Sequence, residues 1–255
     1  LATVQGAKYL DLVKYCAIEL SKLDFDFYAI GSIKKALEQW DLIPQIDLVI
    51  QAKKYLPWNK PLHFWGIGHP ATFSLFVALG IDSFDSASYA IYAYDNRYIT
   101  LEGTLKVEDL EYLPCFCPIC SKYSLREIKE DKKLLAMHNL FVCLAEIKTI
   151  KQAIKENWLW ELVQQRARAN YKLYEALVYL LKKYGKWLEK YELFSKKSGL
   201  QWVGEETIYR PEIIRAKKLL KRVKSKEYVK IKNLKVPKEI QIVYPFNSLI
   251  EKKEE

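Results

Sequence analysis

One methionine, Met137, and five cysteines are all the sulfur among 255 residues. An odd cysteine count argues against a disulfide scaffold, so a reducing cytoplasm is the expected compartment. No apolar run approaches the roughly 20 residues that span a bilayer. No basic segment leads into an apolar one, so neither a membrane helix nor a signal peptide is expected. No serine or cysteine stands in a known nucleophile motif beside His63 or His69, which weighs against a hydrolase triad. There is no repeat beyond an alternation of strands and helices, and no low-complexity segment. The chain starts at Leu1, and L-A-T-V-Q-G already reads as a strand entering a turn. It is therefore expected to begin inside a fold, as a fragment, half of a split gene or the product of an unusual start codon.

What is present is unevenly charged. The net charge is +10. Residues 1–180 hold 21 basic and 21 acidic groups, whereas residues 181–238 hold 18 basic and 6 acidic groups, a net of +12. Such a block points to a polyanion such as nucleic acid, although a lysine-rich surface of a thermophilic protein has a similar composition.

The first 90 residues repeat a short β-rich run followed by an amphipathic helix. Ala2–Gln5 precedes a helix with apolar Leu10, Leu12, Val13, Cys16, Ala17 and Leu20. Phe25–Gly31 precedes helical stretches through Tyr55, interrupted at Pro44. Pro61–Gly68 precedes a helix starting near Pro70, and Ser83–Asp85 is a fourth strand. This alternation predicts an α/β fold with a parallel sheet. Ligands in such folds meet the carboxyl ends of the strands, which puts Gln5, Gly31, Ser32, Gly66, Gly68, His69 and Asp85 on one rim. There glycines let a backbone approach a planar ligand, Gln5 offers an amide for a base edge, and Asp85 offers a nucleophile or acid/base group. Each has a plainer reading: turns for the glycines, a helix cap or a satisfied loop carboxylate for Asp85, and a helix cap for His69. His63, inside its strand, reads as a core or supporting histidine. Four βα units do not close an eight-stranded barrel; the sheet is open or its partner strands lie on another chain.

C-F-C-P-I-C, followed after seventeen residues by a histidine, gives Cys115, Cys117, Cys120 and His138. Three thiolates and an imidazole make a closed tetrahedral zinc set with no open position for chemistry. Residues 103–140 are expected to form this zinc loop, with helix resuming near Asp131. Its continuation to Asn157 is apolar at Leu134, Leu135, Leu140, Val142, Leu144, Ile147, Ile150 and Ile154. Residues 158–235 read as a helical, basic region. Its aromatic stripe (Trp158, Trp160, Tyr171, Tyr174, Trp187, Phe194) suits a core, residues 195–210 a loop, and Arg215–Lys226 a basic helix. Residues 236–255 carry a short strand signal and a polar tail.

G-I-D-S-F-D-S-A-S-Y at Gly80–Tyr89 and C-F-C-P-I-C…H-N resemble the archaeal tRNA-guanine transglycosylases. The likeness extends over A-T-V-Q-G, D-F-D-F-Y-A-I-G, L-H-F-W-G-I-G-H-P, Y-A-I-Y-A-Y-D-N-R-Y and E-Y-L-P-C-F-C-P-I-C, and more weakly to about residue 215. The resemblance implies a (β/α)8 TIM barrel with a zinc-binding insertion, of which residues 1–157 are the C-terminal half, about four βα units. It also implies exchange of guanine at position 15 of tRNA for 7-cyano-7-deazaguanine, a 7-deazaguanine base on the way to archaeosine, without ATP. Asp85 is then the nucleophile at ribose C1′, holding a covalent glycosyl–enzyme as retaining glycosidases do. Gln5 and the Gly31 backbone read the base edge, Ser32, Gly66 and His69 line the pocket, and the four sulfur and imidazole residues bind zinc. The chain departs from the family's pattern at Ala7 and Ser32, where glycines are expected. It lacks the half-barrel with the general acid/base aspartate and the C-terminal RNA-binding modules, with a faint trace of the next domain near 236–246. The expected partners are tRNA, the 7-deazaguanine base, and a chain carrying the N-terminal half-barrel or a second copy. A non-catalytic tRNA-binding or scaffolding subunit is the alternative, and the residues without the resemblance allow a zinc-stabilised RNA-binding protein.

Overall fold

The structure, a computed structural model, describes residues 1–192, 200–222, 224–231 and 234–238. Chain order is β1 (Ala2–Val4), α1 (Leu10–Ser21), β2 (Tyr28–Ile30), α2 (Lys34–Glu38), α3 (Ile43–Lys53), β3 (Leu62–Trp65), α4 (Pro70–Ala78) and β4 (Ser83–Asp85). The four strands pair in parallel in the order β1-β2-β3-β4. Sequential order without a reversal is that of a barrel wound in one direction, not of a doubly wound sheet. Among the described residues β1 and β4 each have one neighbour, so the sheet is open at both edges, an arrangement consistent with part of such a barrel.

Strands of three or four residues contribute little by themselves, and the helices stabilise the sheet. Val4, Ile30 and Phe64 stand in register on one face, buried in a single apolar core with Val13, Val49 and Phe76 from α1, α3 and α4. The opposite face presents the row Thr3, Ala29, His63 and Ser83. Pro44 does not interrupt a helix. It stands in the first turn of α3, where a missing amide N–H costs nothing. Buried Gln45 then ties α3 to the rim, accepting from Ile33 N–H at 3.2 Å and donating to Ile33 O at 2.8 Å. Leu12 lies on the exposed side of α1.

After the sheet come α5 (Ser88–Tyr94) and a hairpin of β5 (Arg97–Ile99) and β6 (Thr104–Lys106). Short helices α6 (Pro118–Lys122) and α7 (Leu125–Glu130) follow, then the long α8 (Lys132–Glu156). The expected loop over 103–140 is thus largely structured. A capping box at Ser124 and Glu127 opens α7, and the Asp131 side chain caps α8, which resumes where expected. Leu135 and Ile150 are buried, whereas Leu140, Leu144 and Ile154 are exposed.

Helices α9 (Leu159–Ala167) and α10 (Tyr171–Leu188) form an outer layer, α9 against α4 and α10 against α3. Trp160 enters the core, and Trp158 and Trp187 pack on it, but Tyr171 is exposed. Phe194 lies outside the described residues. The basic helix expected over Arg215–Lys226 runs instead from Pro211 to Leu220 as α11, because Pro211 favours a helix start. The segment before it contains a 3-10 turn at Glu205–Tyr209. The expected strand near Val236 is β8 (Leu234–Pro237), antiparallel to β7 (Tyr228–Ile231). Residues 239–255 lie outside the described residues. No described helix is long and apolar enough to cross a membrane.

In the turn between β1 and α1, Ala7 has φ +48°, a left-handed conformation that costs an L-residue about 1–2 kcal/mol. Ala7→Gly relieves that strain at some entropic cost in the unfolded chain. A net stabilisation of about 0.5–1 kcal/mol is expected, read as a higher urea midpoint with unchanged slope.

Candidate functional site

The loops leaving the four strands meet at one cleft of about 780 Å³. Gln5 follows β1, Gly31 and Ser32 follow β2, Gly66 to His69 follow β3, and Asp85 to Ser88 close β4, so every expected rim residue lines or borders it. Asp85 ends β4 in register with Trp65. This brings the next amide, Gly66 N–H, to donate to Asp85 Oδ1 at 2.9 Å. The turn that aims this amide needs φ +81° at Gly66, a conformation that favours glycine. The Asp85 side chain stays about half exposed, at 51%.

Below the rim, His63 is buried. Its Nδ1 is 2.8 Å from Ser83 Oγ and its Nε2 is 3.4 Å from Asp85 Oδ1. At the latter distance Nε2 makes no hydrogen bond by strict geometry. His69 caps α4, accepting from Ala71 N–H at 3.3 Å. Burial pushes its imidazole down to about 4, with the Gly103 backbone opposing, so it is neutral at pH 7. It borders the cleft while serving as a helix cap.

Trp40 and Trp65 also line the cleft and escaped the reading of the sequence. Trp40 sits at φ +57° with its ring 4.8 Å from that of His69. A bulky residue in that backbone region is a strained element worth functional scrutiny, but no sequence pattern announces it. Trp65 was inside the recognised strand, and its alternation with His63 was the available signal. A fixed carboxylate in a cleft also lined by two tryptophans and Gln5 suits a planar, polar ligand and attack at an adjoining electrophilic carbon.

The second constellation is Cys115, Cys117, Cys120 and His138, whose ligand atoms all lie within 4.8 Å of one another. Tetrahedral bonds of about 2.3 Å to sulfur put ligand atoms about 3.8 Å apart, so a small contraction around an ion suffices. His138 Nδ1 is 3.2 Å from Cys120 Sγ and 3.5 Å from Cys117 Sγ, while Nε2 is 3.0 Å from Ile99 O. A carbonyl at Nε2 places the proton there and leaves Nδ1 free as a ligand, the usual support of a metal-bound histidine. Burial pushes His138 down to about 4 and Cys120 up to about 12. A neutral imidazole is ready to ligate, and a divalent cation supplies the charge that crowded thiolates lack. Tyr98 stacks on His138 with centroids 3.6 Å apart. The four residues fit a metal ion and leave no protein position open.

The basic block is only partly surface. Arg210 is fully buried between Glu161 and Glu212. Arg215 and Lys218 both engage Glu189, and Lys183 joins Tyr179 and Tyr184 on Asp47. These pairs fasten the outer helices and reduce the charge left for a ligand.

With this geometry in view, the chain's relatives are informative. The family described as Queuine tRNA-ribosyltransferase matches residues 1–172. The chain is 45% identical over 256 aligned positions to a tRNA-guanine(15) transglycosylase of Korarchaeum cryptofilum, covering 98% of this chain and 43% of the relative. It is 48% identical to one of Methanococcus aeolicus, with 88% and 35% covered, and 46% identical to one of Pyrococcus furiosus, with 96% and 43% covered. The chain thus spans well under half the length of these curated relatives. On a match covering two thirds of its residues and a rim whose four loops converge on Asp85, the chain belongs to the tRNA-guanine transglycosylase family.

Proposed function

We propose that the chain is the catalytic half of a tRNA-guanine(15) transglycosylase, working in the cytoplasm with strands that complete its barrel. The carrying observation is Asp85, fixed by Gly66 N–H at the mouth of a cleft built from all four strand ends. Asp85 attacks ribose C1′ of guanosine 15. The carboxylate–C1′ bond forms as the C1′–N9 bond breaks, and guanine leaves with a proton from an acid outside the described residues. N9 of 7-cyano-7-deazaguanine then attacks C1′, loses its proton and releases the carboxylate. Two displacements retain configuration. Gln5 and the Gly31 backbone meet the base edge, Ser32 and Gly66 shape the pocket, and His69 caps the helix behind it. Cys115, Cys117, Cys120 and His138 hold a structural zinc, which supplies no chemistry and ties the loop to α8. The remaining basic residues beyond 181 steer the tRNA backbone.

One competing reading is a tRNA-binding subunit without chemistry. Ala7 and Ser32 support it by placing side chains where the family's pattern has glycines.

Exchange decides between them. With a chain supplying the other half-barrel, radiolabelled guanine is expected to enter tRNA, and Asp85→Ala is expected to abolish incorporation. Incorporation by Asp85→Ala at the unmodified rate removes Asp85 as nucleophile, and none in the unmodified pair leaves the binding subunit. For the metal, about one zinc per chain is expected, with loss of zinc and a lower melting temperature in Cys117→Ala; unchanged zinc refutes the assignment. For tRNA, log affinity is expected to fall linearly with log salt, by about 0.7–0.9 per phosphate contacted. A flat response would leave the basic block as ordinary surface.

A further inference from the structure

Beneath Asp85 lies a group that the exchange reaction, as just described, does not use. His63 is only 8% exposed, yet its Nε2 has no hydrogen-bond partner by strict geometry. A buried, unpaired ring nitrogen is costly, so its surroundings should explain it. Asp85 Oδ1 lies 3.4 Å from it, the same oxygen that receives Gly66 N–H. On the other side of the ring, Nδ1 is 2.8 Å from Ser83 Oγ. The ring is held edge-on by Trp65, with centroids 4.2 Å apart, and by Phe27 at 6.2 Å. The parallel register that pairs His63 with Ser83 and Trp65 with Asp85 creates the arrangement.

We propose that His63 is a positioning residue for Asp85. Ser83 donates its hydroxyl proton to Nδ1, which places the ring proton on Nε2, and Nε2–H closes onto Oδ1 alongside Gly66 N–H. Two donors on one oxygen fix the plane of the carboxylate and leave the other oxygen to approach C1′. This rests on Asp85 being the nucleophile. The same three side chains resemble a serine hydrolase triad, but their exposure runs the wrong way. The carboxylate stands half exposed at the rim, and the serine lies one step below it on the inner row.

A contact of this kind to a charged group is worth about ten- to hundredfold in rate. In the exchange assay with the barrel-completing chain, His63→Phe is expected to lower turnover by about that factor while leaving the KM for tRNA within about twofold. His63→Gln, which keeps a donor near the Nε2 position, is expected to restore much of the loss. Turnover unchanged in His63→Phe, while Asp85→Ala abolishes exchange, overturns the proposal and leaves the nucleophile standing. Exchange unaffected by Asp85→Ala overturns both. A readout independent of activity is the imidazole 15N spectrum of the full chain, with the His63 signals identified by their loss in His63→Gln. The Nε2–H tautomer is expected, with its Nε2 resonance shifted in Asp85→Ala. An Nδ1–H tautomer, or a spectrum indifferent to Asp85→Ala, overturns the contact.

Discussion

The placement of everything around the cleft depends on α8 and the pair of buried polar residues near its start. His138 Nε2 meets Ile99 O, and Asn139 accepts from Ile99 N–H at 2.8 Å while donating to Tyr89 O and Arg97 O. Two adjacent side chains thus satisfy both main-chain groups of Ile99 and fasten β5 and α5, the elements that follow Asp85. One turn on, the Cys143 thiol points at Gly68 O. One turn further, buried Glu146 takes a bidentate pair from Arg166 of α9 at 2.9 and 2.8 Å. Ile150 and Ala153 then enter the main core. Removing one member of such a buried set leaves an uncompensated partner, which costs more than the bond itself contributes. A metal held by Cys115, Cys117, Cys120 and His138 would therefore brace the same helix that backs the rim.

Much of this was legible in the sequence. Strand–helix alternation is a local signal, and four strands appear where short β-rich runs end at small or polar residues. The cysteine spacing with His138 carried its own chemistry, and the fold brings all four ligand atoms together. The signals that failed were those set by contacts distant in sequence. Pro44 reads equally as a breaker or a first-turn residue until its neighbours are known. Leu12, Leu140 and Leu144 have the right period for burial but face outward, since periodicity does not say how far a core extends. Arg210 counted as surface charge and is the largest fully buried side chain among the described residues, because its carboxylate partners lie up to 49 residues away in sequence. Net charge of a segment therefore overstates what it offers to a polyanion.

Ser32 becomes intelligible when the rim is taken as one assembly. A Cβ on Gly31 would stand 3.3 Å from Gln5 Oε1, and one on Gly66 would stand 2.9 Å from Ser32 Oγ. A Cβ on Gly68 would lie 1.9 Å from Ser86 Oγ and 2.1 Å from Ser88 Oγ. Each loop is small where its neighbour is not, from β1 to β4 in turn. Ser32 is thus accommodated by the glycine across from it, and its hydroxyl occupies space that Gly66 leaves open. Gly66 is also the residue whose amide holds Asp85. A change at position 32 consequently reaches Asp85 through one intervening residue, which makes the cleft's shape and the carboxylate's orientation a single property of the rim.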